Sequence, residues 1–401
     1  MVVSRLESGL RQAMRIACVW LAVVAIQAHG QSNEAAWIRP AGRPTTVFTS
    51  VKAASQEPER AHHYRIPALV VLPGGELLAF AEARRTGGGD AGDIDTVVRR
   101  STDGGSTWGP EILVAGDGDN TMGNPCPVVL PGGRVLLLLT WNSGRLAEHK
   151  VQPGFGADSR RVFVCHSDDA GQTWSPAREI TEHVKRPDWT WYATGPGAGL
   201  RLTRGSTAGR VVIPCDHKSP AGNFSHLILS DDDGSTWRIG AVSPPGLNEC
   251  VAVELADGAV MVNSRNHGTT MVHRGVCVSP DGGETFDDGL FRRDQTLVEP
   301  RCQASTRRHS WPQGDEPGLI LFSNPASSSK RTAMTIRGSR DEADTWPLEY
   351  TVYPGGSAYS DLAVQPDGRL LLLFEKDGYA TIEFCSFELV PPGVPMKDLR
   401  R

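Results

Sequence analysis

The chain has 401 residues, 39% hydrophobic and 22% charged, the balance of a globular protein and not of a disordered one. Its 44 glycines and 28 prolines are too many for a helical bundle and suit numerous short strands joined by tight turns. A net charge of −5, without a basic block, aromatic-basic alternation or zinc-finger spacing, excludes nucleic acid as a natural partner. In chain order, residues 1–30 come first and read as a signal peptide. Arg5, Arg11 and Arg15 precede an apolar stretch from Ile16 to Ile26, and Ala28, His29 and Gly30 place small residues before a cut at Gln31. That stretch is too short to span a bilayer comfortably. Cys18 lies inside it, which argues against a lipoprotein anchor. The expectation is export to the periplasm or beyond, with no membrane span in the mature chain and a net charge of −7 once three Arg and one Glu are removed.

Residues 31–44 read as an N-terminal extension, 45–392 as one strand-rich domain and 393–401 as a C-terminal tail. Within the domain, apolar runs alternate with turn signals. Ala68 to Leu72 ends at Pro73-Gly74-Gly75, Arg134 to Thr140 follows Pro131-Gly132-Gly133, and Val211 to Ile213 and Leu370 to Phe374 are similar. No amphipathic helical stretch follows residue 30.

Between these runs an eight-residue motif recurs as S-x-D-x-G-x-T-W. It runs from Ser101 to Trp108, Ser167 to Trp174, Ser230 to Trp237 and Ser279 to Phe286, with a degraded copy from Ser339 to Trp346. Successive copies start 66, 63, 49 and 60 residues apart. The chemistry suits a hairpin tip: Asp caps backbone N–H groups, Gly permits positive φ, and the aromatic packs on a neighbouring strand. Spacing near 60 residues allows four strands per unit. The predicted fold is therefore all-β, a six-bladed β-propeller with loops from every blade around an axial funnel.

After removal of residues 1–30 seven cysteines remain, scattered and without C-x-x-C. That pattern gives little support to metal ligation, so no metal and no cofactor are expected. An odd count leaves at least one thiol free. The reading is small buried strand residues, with one or two disulfides at most.

Function has to come from the residues between the repeats, because propellers host enzymes, lectins and scaffolds alike. Tyr64-Arg65-Ile66-Pro67, the acidic turns, Asn248-Glu249-Cys250 with Asn263-Ser264-Arg265-Asn266, Ser323-Asn324-Pro325 with Arg331, and Ser357-Ala358-Tyr359-Ser360-Asp361-Leu362 occur in one order. In that order residues 60–390 resemble a sialidase of the neuraminidase superfamily, particularly the bacterial secreted exo-sialidases. The resemblance implies that Arg65, Arg265 and Arg331 hold the carboxylate of a terminal sialic acid, since guanidinium forks match a planar anion. Lys330 and Arg337 lie close enough to Arg331 to compete for its place in the alignment. Tyr359 would be the nucleophile and Glu249 its base. A phenol avoids bringing a second carboxylate against an anomeric carbon that already carries one.

The resemblance also implies a general acid/base in the loop from Arg84 to Asp93. Counting from Arg85 and back from Arg99 and Arg100 selects Asp90, with Asp93 and Asp95 as competitors. Arg85 would then meet the ring hydroxyls, Arg84 being the alternative. The aromatic stretch from Asp188 to Gly197 would either wall the pocket or serve ordinary blade packing. The implied activity is retaining hydrolysis of sialylated glycans by a monomer. A trans-sialidase and a sialic-acid-binding lectin are the alternatives.

Overall fold

The strand Val135–Asn142 shows why the apolar runs of this chain are continuous. Val135, Leu137 and Leu139 point into one apolar layer, whereas Leu136 and Leu138 point into another. Both faces are covered, so neither needs polar residues. The computed structural model describes residues 37–51, 63–268 and 270–390. Its compact unit Ile38–Leu389 begins within the stretch read as an extension. The signal-peptide reading and the 393–401 tail lie outside the described residues. Among those described, no helix is long and apolar enough to cross a membrane.

The unit is all-β. Its hydrogen-bonded sheets resolve into antiparallel meanders. The first comprises His63–Val71, Leu77–Arg84, Ile94–Ser101 and Ile112–Ala115. The second comprises Thr121–Val129, Val135–Asn142, Arg161–Ser167 and Arg178–Glu179. In the third, the opening strand is broken into Tyr192–Thr194 and Leu200–Arg201, both paired with Val211–Ser219; Gly222–Ser230 and Arg238–Val242 follow. The fourth runs through Leu247–Glu254, Val260–Asn266, His273–Ser279 and Arg292–Val298.

The fifth takes Ser305–Ser310, Leu319–Pro325 and Thr332–Ser339, and then the first part of the long strand Leu348–Val364. The rest of that strand opens the sixth, with Leu370–Lys376 and Thr381–Leu389. Thr45–Thr49 and Ile38–Pro40 pair with Thr381–Leu389, so the two ends of the unit share one sheet.

The core is divided into apolar layers between consecutive meanders, and one further layer joins the sixth to the first through Leu371, Leu373, Phe384, Leu69 and Leu77. The acidic turns clip these layers from outside. In the first copy Asp103 accepts from the Thr107 amide (2.9 Å) and hydroxyl (2.6 Å), and the Gly105 amide donates to Ser101 Oγ (2.9 Å). The pattern recurs at Asp169, Asp232, Asp281 and Asp341. Each aromatic packs on the preceding meander: Trp108 meets Phe384 at 5.4 Å and Trp174 meets Phe80 at 5.7 Å. The seven described cysteines are buried and free.

Asp361, fully buried, accepts from the Leu69 amide (2.9 Å), the Ala198 amide (3.1 Å) and the Ser305 hydroxyl (2.7 Å). It thereby ties the first, third and fifth meanders to the sixth.

Candidate active site

The opening strands of the first, second, fourth and sixth meanders share a local irregularity, and side chains from these breaks line one cavity. Pairing register breaks between Arg65 and Ala68, Gly123 and Cys126, Leu247 and Cys250, and Ser357 and Ser360. Ile66 (φ 60°) and Asn124 (φ 53°) occupy the left-handed region, each followed by a proline that removes a ladder donor. Arg65, Ile66, Asn124, Asn248, Glu249 and Tyr359 all sit at these bulges. All of them line one cavity of about 180 Å³, together with Arg265, Arg331 and Asp90.

Tyr359 donates its phenolic hydrogen to Glu249 Oε1. Arg265 Nη1 donates to the other oxygen of Glu249 (2.6 Å) and to the Tyr359 oxygen (3.1 Å). Burial, reinforced by the Glu249 charge, holds the Tyr359 phenol well above its ordinary pKa and therefore protonated. Burial also raises Glu249, but the Arg265 charge and its hydrogen bonds outweigh this and leave it below the usual range, a carboxylate. The pair is a proton donor facing a proton acceptor.

Arg65 Nε donates to Glu375 Oε1 (2.8 Å), which also takes the Ile66 amide (2.9 Å), while Glu375 Oε2 takes the Tyr359 amide (3.1 Å). One fully buried carboxylate therefore positions both Arg65 and Tyr359. Despite burial, Glu375 keeps the Arg65 guanidinium charged, pushing its pKa well up. The Arg65 guanidinium lies 5.1 Å from the Tyr359 ring centre and that of Arg331 5.5 Å. Arg331 is fixed by Tyr379 Oη (3.0 Å) and the Arg301 carbonyl (2.9 Å). Arg337, a competitor in the sequence, instead pairs with Glu349 (2.7 Å).

Asp90 lies on the glycine-rich loop, its side chain 70% exposed and 2.8 Å from Arg84 Nη1. Arg84 also binds the Gly88 and Gly89 carbonyls (2.7 and 2.9 Å) and pairs with buried Glu82 (2.7 Å). Arg85, expected to meet the sugar, does not line the cavity. It binds Asp95 (3.0 Å) and Glu111 (3.3 Å) instead. The reason is strand parity: Glu82 and Arg84 share one face of Leu77–Arg84, and the next residue turns the other way. Asp93 and Asp95 are likewise absent from the lining.

Sequence reasoning held Arg84 only as the alternative to Arg85, and it missed Arg160, Asp216, Glu148 and the support from Glu375. Arg160 is 2% exposed, donates to the Tyr192 carbonyl, Asn142, Asn124 and Thr140, and stacks 3.8 Å from the Trp191 ring. Burial brings its guanidinium down to about 10. The signal available in the sequence was a charge placed directly after an apolar run, as Glu375 follows Leu370 to Phe374. The aromatic stretch divides between its two readings. Trp191 lines the cavity, while Trp189 is buried and stacks on His217 at 3.4 Å. Among the described residues no group of three or more His, Cys, Asp or Glu is arranged to hold a metal ion.

A model of the BNR repeat-like domain matches residues 75–372. A sialidase of Micromonospora viridifaciens is 34% identical over 380 residues, covering 92% of this chain but only 58% of that relative's length. An exo-alpha-sialidase of Aspergillus fumigatus is 32% identical over 84% of each chain. Among solved structures, the Hadza microbial sialidase Hz136 superposes with a TM-score of 0.74 at 28% identity, over 82% of this chain and 66% of that one. The Trypanosoma rangeli sialidase, at 20% identity and a TM-score of 0.68 over 86% of this chain and 59% of its own, shares the fold.

Proposed function

Because the chain belongs to the sialidase superfamily of glycoside hydrolases, we propose that it is an exo-α-sialidase releasing terminal sialic acid from glycoconjugates with retention. In this reading the six meanders are the blades of a propeller and the cavity lies at its axis. The chain is exported and acts on its own.

The observation that carries the reading is the contact of Tyr359 with Glu249 in a cavity that Arg65, Arg265 and Arg331 also line. The three guanidinium groups take the sugar carboxylate, which places the anomeric carbon above the phenol. Asp90 protonates the glycosidic oxygen. Tyr359 passes its proton to Glu249 as its oxygen closes on the oxocarbenium-like carbon, giving a glycosyl–tyrosine intermediate. Water, deprotonated by Asp90, then attacks the same carbon, and the phenolate leaves with the proton held by Glu249.

Arg265 couples binding to this transfer. Without substrate its Nη1 is committed to Glu249 and Tyr359. An arriving carboxylate competes for that charge, which loosens its hold on Glu249 and makes the base stronger when it is needed.

The test is turnover of a fluorogenic α-sialoside. Wild type releases sialic acid; Tyr359→Phe falls by at least about 10³-fold and Arg65→Ala by about 10²-fold or more in kcat/KM. Wild type that binds sialic acid without turnover would be a lectin, and the enzymatic reading would be lost.

A further inference from the structure

Part of the cavity wall is built of acceptors that no donor among the described residues fills. Asp216 lines the cavity, is 2% exposed, and its Oδ1 has no hydrogen-bond partner among the described residues. Asn248 Oδ1, lining the same cavity, also lacks one. Arg160, whose charge acts on Asp216, is already engaged. Arg160 uses Nε on the Tyr192 carbonyl (2.6 Å) and its terminal nitrogens on Asn142, Asn124 and Thr140. Burial and the charges of Glu249 and Glu148 push the Asp216 carboxyl well above the usual range. A buried carboxyl with no donor is an expensive thing for a fold to keep, and an apolar or amide side chain would be cheaper.

We propose that Asp216 is a specificity-determining residue that accepts a hydrogen bond from a donor on the bound sugar, a group distinct from the carboxylate that the guanidinium groups take. The inference rests on the sialidase reading above. The matching chemistry is a hydroxyl or an amide N–H. A sialic acid offers both, as the hydroxyls of its three-carbon side chain and the N–H of its 5-acetamido group. Strand parity supports the assignment: Asp216 faces the cavity while its neighbour His217 faces the core, so the carboxyl has no structural contact to serve.

The test compares the wild-type full chain with Asp216→Ala and Asp216→Asn on three 4-methylumbelliferyl sialosides. One is intact, one has its side chain cut back to a single carbon, and one carries hydrogen in place of the 5-acetamido group. Wild type should lose about ten- to a hundredfold in kcat/KM on the analogue that lacks the donor held by Asp216. Asp216→Ala should lose a similar factor on the intact substrate and nothing further on that analogue, with the penalty on the other analogue unchanged. Which analogue behaves this way separates hydroxyl from amide. Asp216→Asn, which keeps one acceptor oxygen, should fall between, and neither variant should melt below wild type. Equal penalties on both analogues in wild type and Asp216→Ala overturn the proposal. Failure of wild type to cleave any of the three removes the sialidase reading and this inference with it.

Discussion

At the scale of the residue, the ionisation states of the site set its pH dependence. Turnover in the proposed mechanism needs Asp90 protonated while Glu249 is ionised. Partial desolvation by the surrounding cavity wall raises Asp90 even though its side chain is 70% exposed, but Arg84 and then Arg65 outweigh this and draw the carboxyl below its usual value. Glu249 is lowered too, with Arg265 overcoming its burial. At neutral pH both groups are therefore carboxylates, and the acid is the scarce form. Each unit of acidification multiplies protonated Asp90 about tenfold until its pKa is reached, so kcat/KM should rise from pH 8 to about 5 and fall only when Glu249 takes a proton. Arg84→Gln removes the main charge holding Asp90 down. It should move the limb that falls with rising pH upward by about one unit, at a lower maximum because the loop loses its anchor. A pH profile of kcat/KM for both proteins checks this, and an alkaline optimum in wild type would remove Asp90 as the acid.

At the scale of the element, the acidic turns were legible in the sequence because their chemistry is local. Ser, Asp, Gly and Thr within eight residues satisfy one another, and one serine-to-aspartate contact of 2.8 Å in the first copy returns as 2.8, 2.9, 2.7 and 2.7 Å in the others. Arg65, Arg265, Arg331, Glu249 and Tyr359 were readable only through ordered motifs, and the structure brings these residues to one cavity. Asp216 and Glu375 were missed, and the charge that follows an apolar run at Glu375 marks a position without naming its partners. The partners of Glu375 are Arg65, 310 residues away, and the Tyr359 amide, and no short pattern records such a meeting. Arg85 failed for a narrower reason: spacing selected it, but the alternation of a strand gives the cavity to Arg84.

The turns also carry a test of their own. Gly105 has φ +88°, and a Cβ there would stand 2.1 Å from Phe384 Cε1. Gly105→Ala combines backbone strain with a clash in the layer joining the first and sixth meanders, and should cost about 3 kcal/mol in urea unfolding. Gly75 has φ +90° with nothing within 4 Å of its Cβ, so Gly75→Ala carries strain alone and should cost about 1 kcal/mol. Equal losses would show that the turns are not clipped to their neighbours as described.

At the scale of the whole unit Ile38–Leu389, stability should be acid-sensitive for reasons unrelated to the catalytic groups. His217 and His226, 2% and 0% exposed, bring their Nδ1 atoms within 3.0 Å of each other. His217 is stacked between Trp189 at 3.4 Å and Phe224 at 5.2 Å. Burial pushes His217 down to about 3 and His226 well below the ordinary histidine value, with the His217 charge adding to the effect. Above pH 6.5 folded and unfolded chains both hold these rings neutral, and the pair has no pH-dependent cost. Below it the unfolded chain takes up protons that the folded chain refuses, so each ring removes about 1.4 kcal/mol per pH unit until its folded pKa is reached.

Asp361 and Asp216 act in the opposite sense. Burial raises both, so their folded forms hold protons longer than the unfolded chain does, and that cost of ionisation is relieved as pH falls. Their relief offsets the histidine penalty wherever the two pH ranges overlap, so the histidine contribution is read as a difference between two proteins that share both carboxyls. Replacing His217 with Phe keeps an aromatic ring between Trp189 and Phe224 but removes one of the two titrating groups. The urea stability of His217→Phe, set against wild type, should hold a constant offset from pH 8 to 7 and gain about 1 kcal/mol per unit on wild type as pH falls below about 6.5. An offset that stays constant down to pH 5 would mean that His217 takes up its proton within the fold, contrary to its apolar stack.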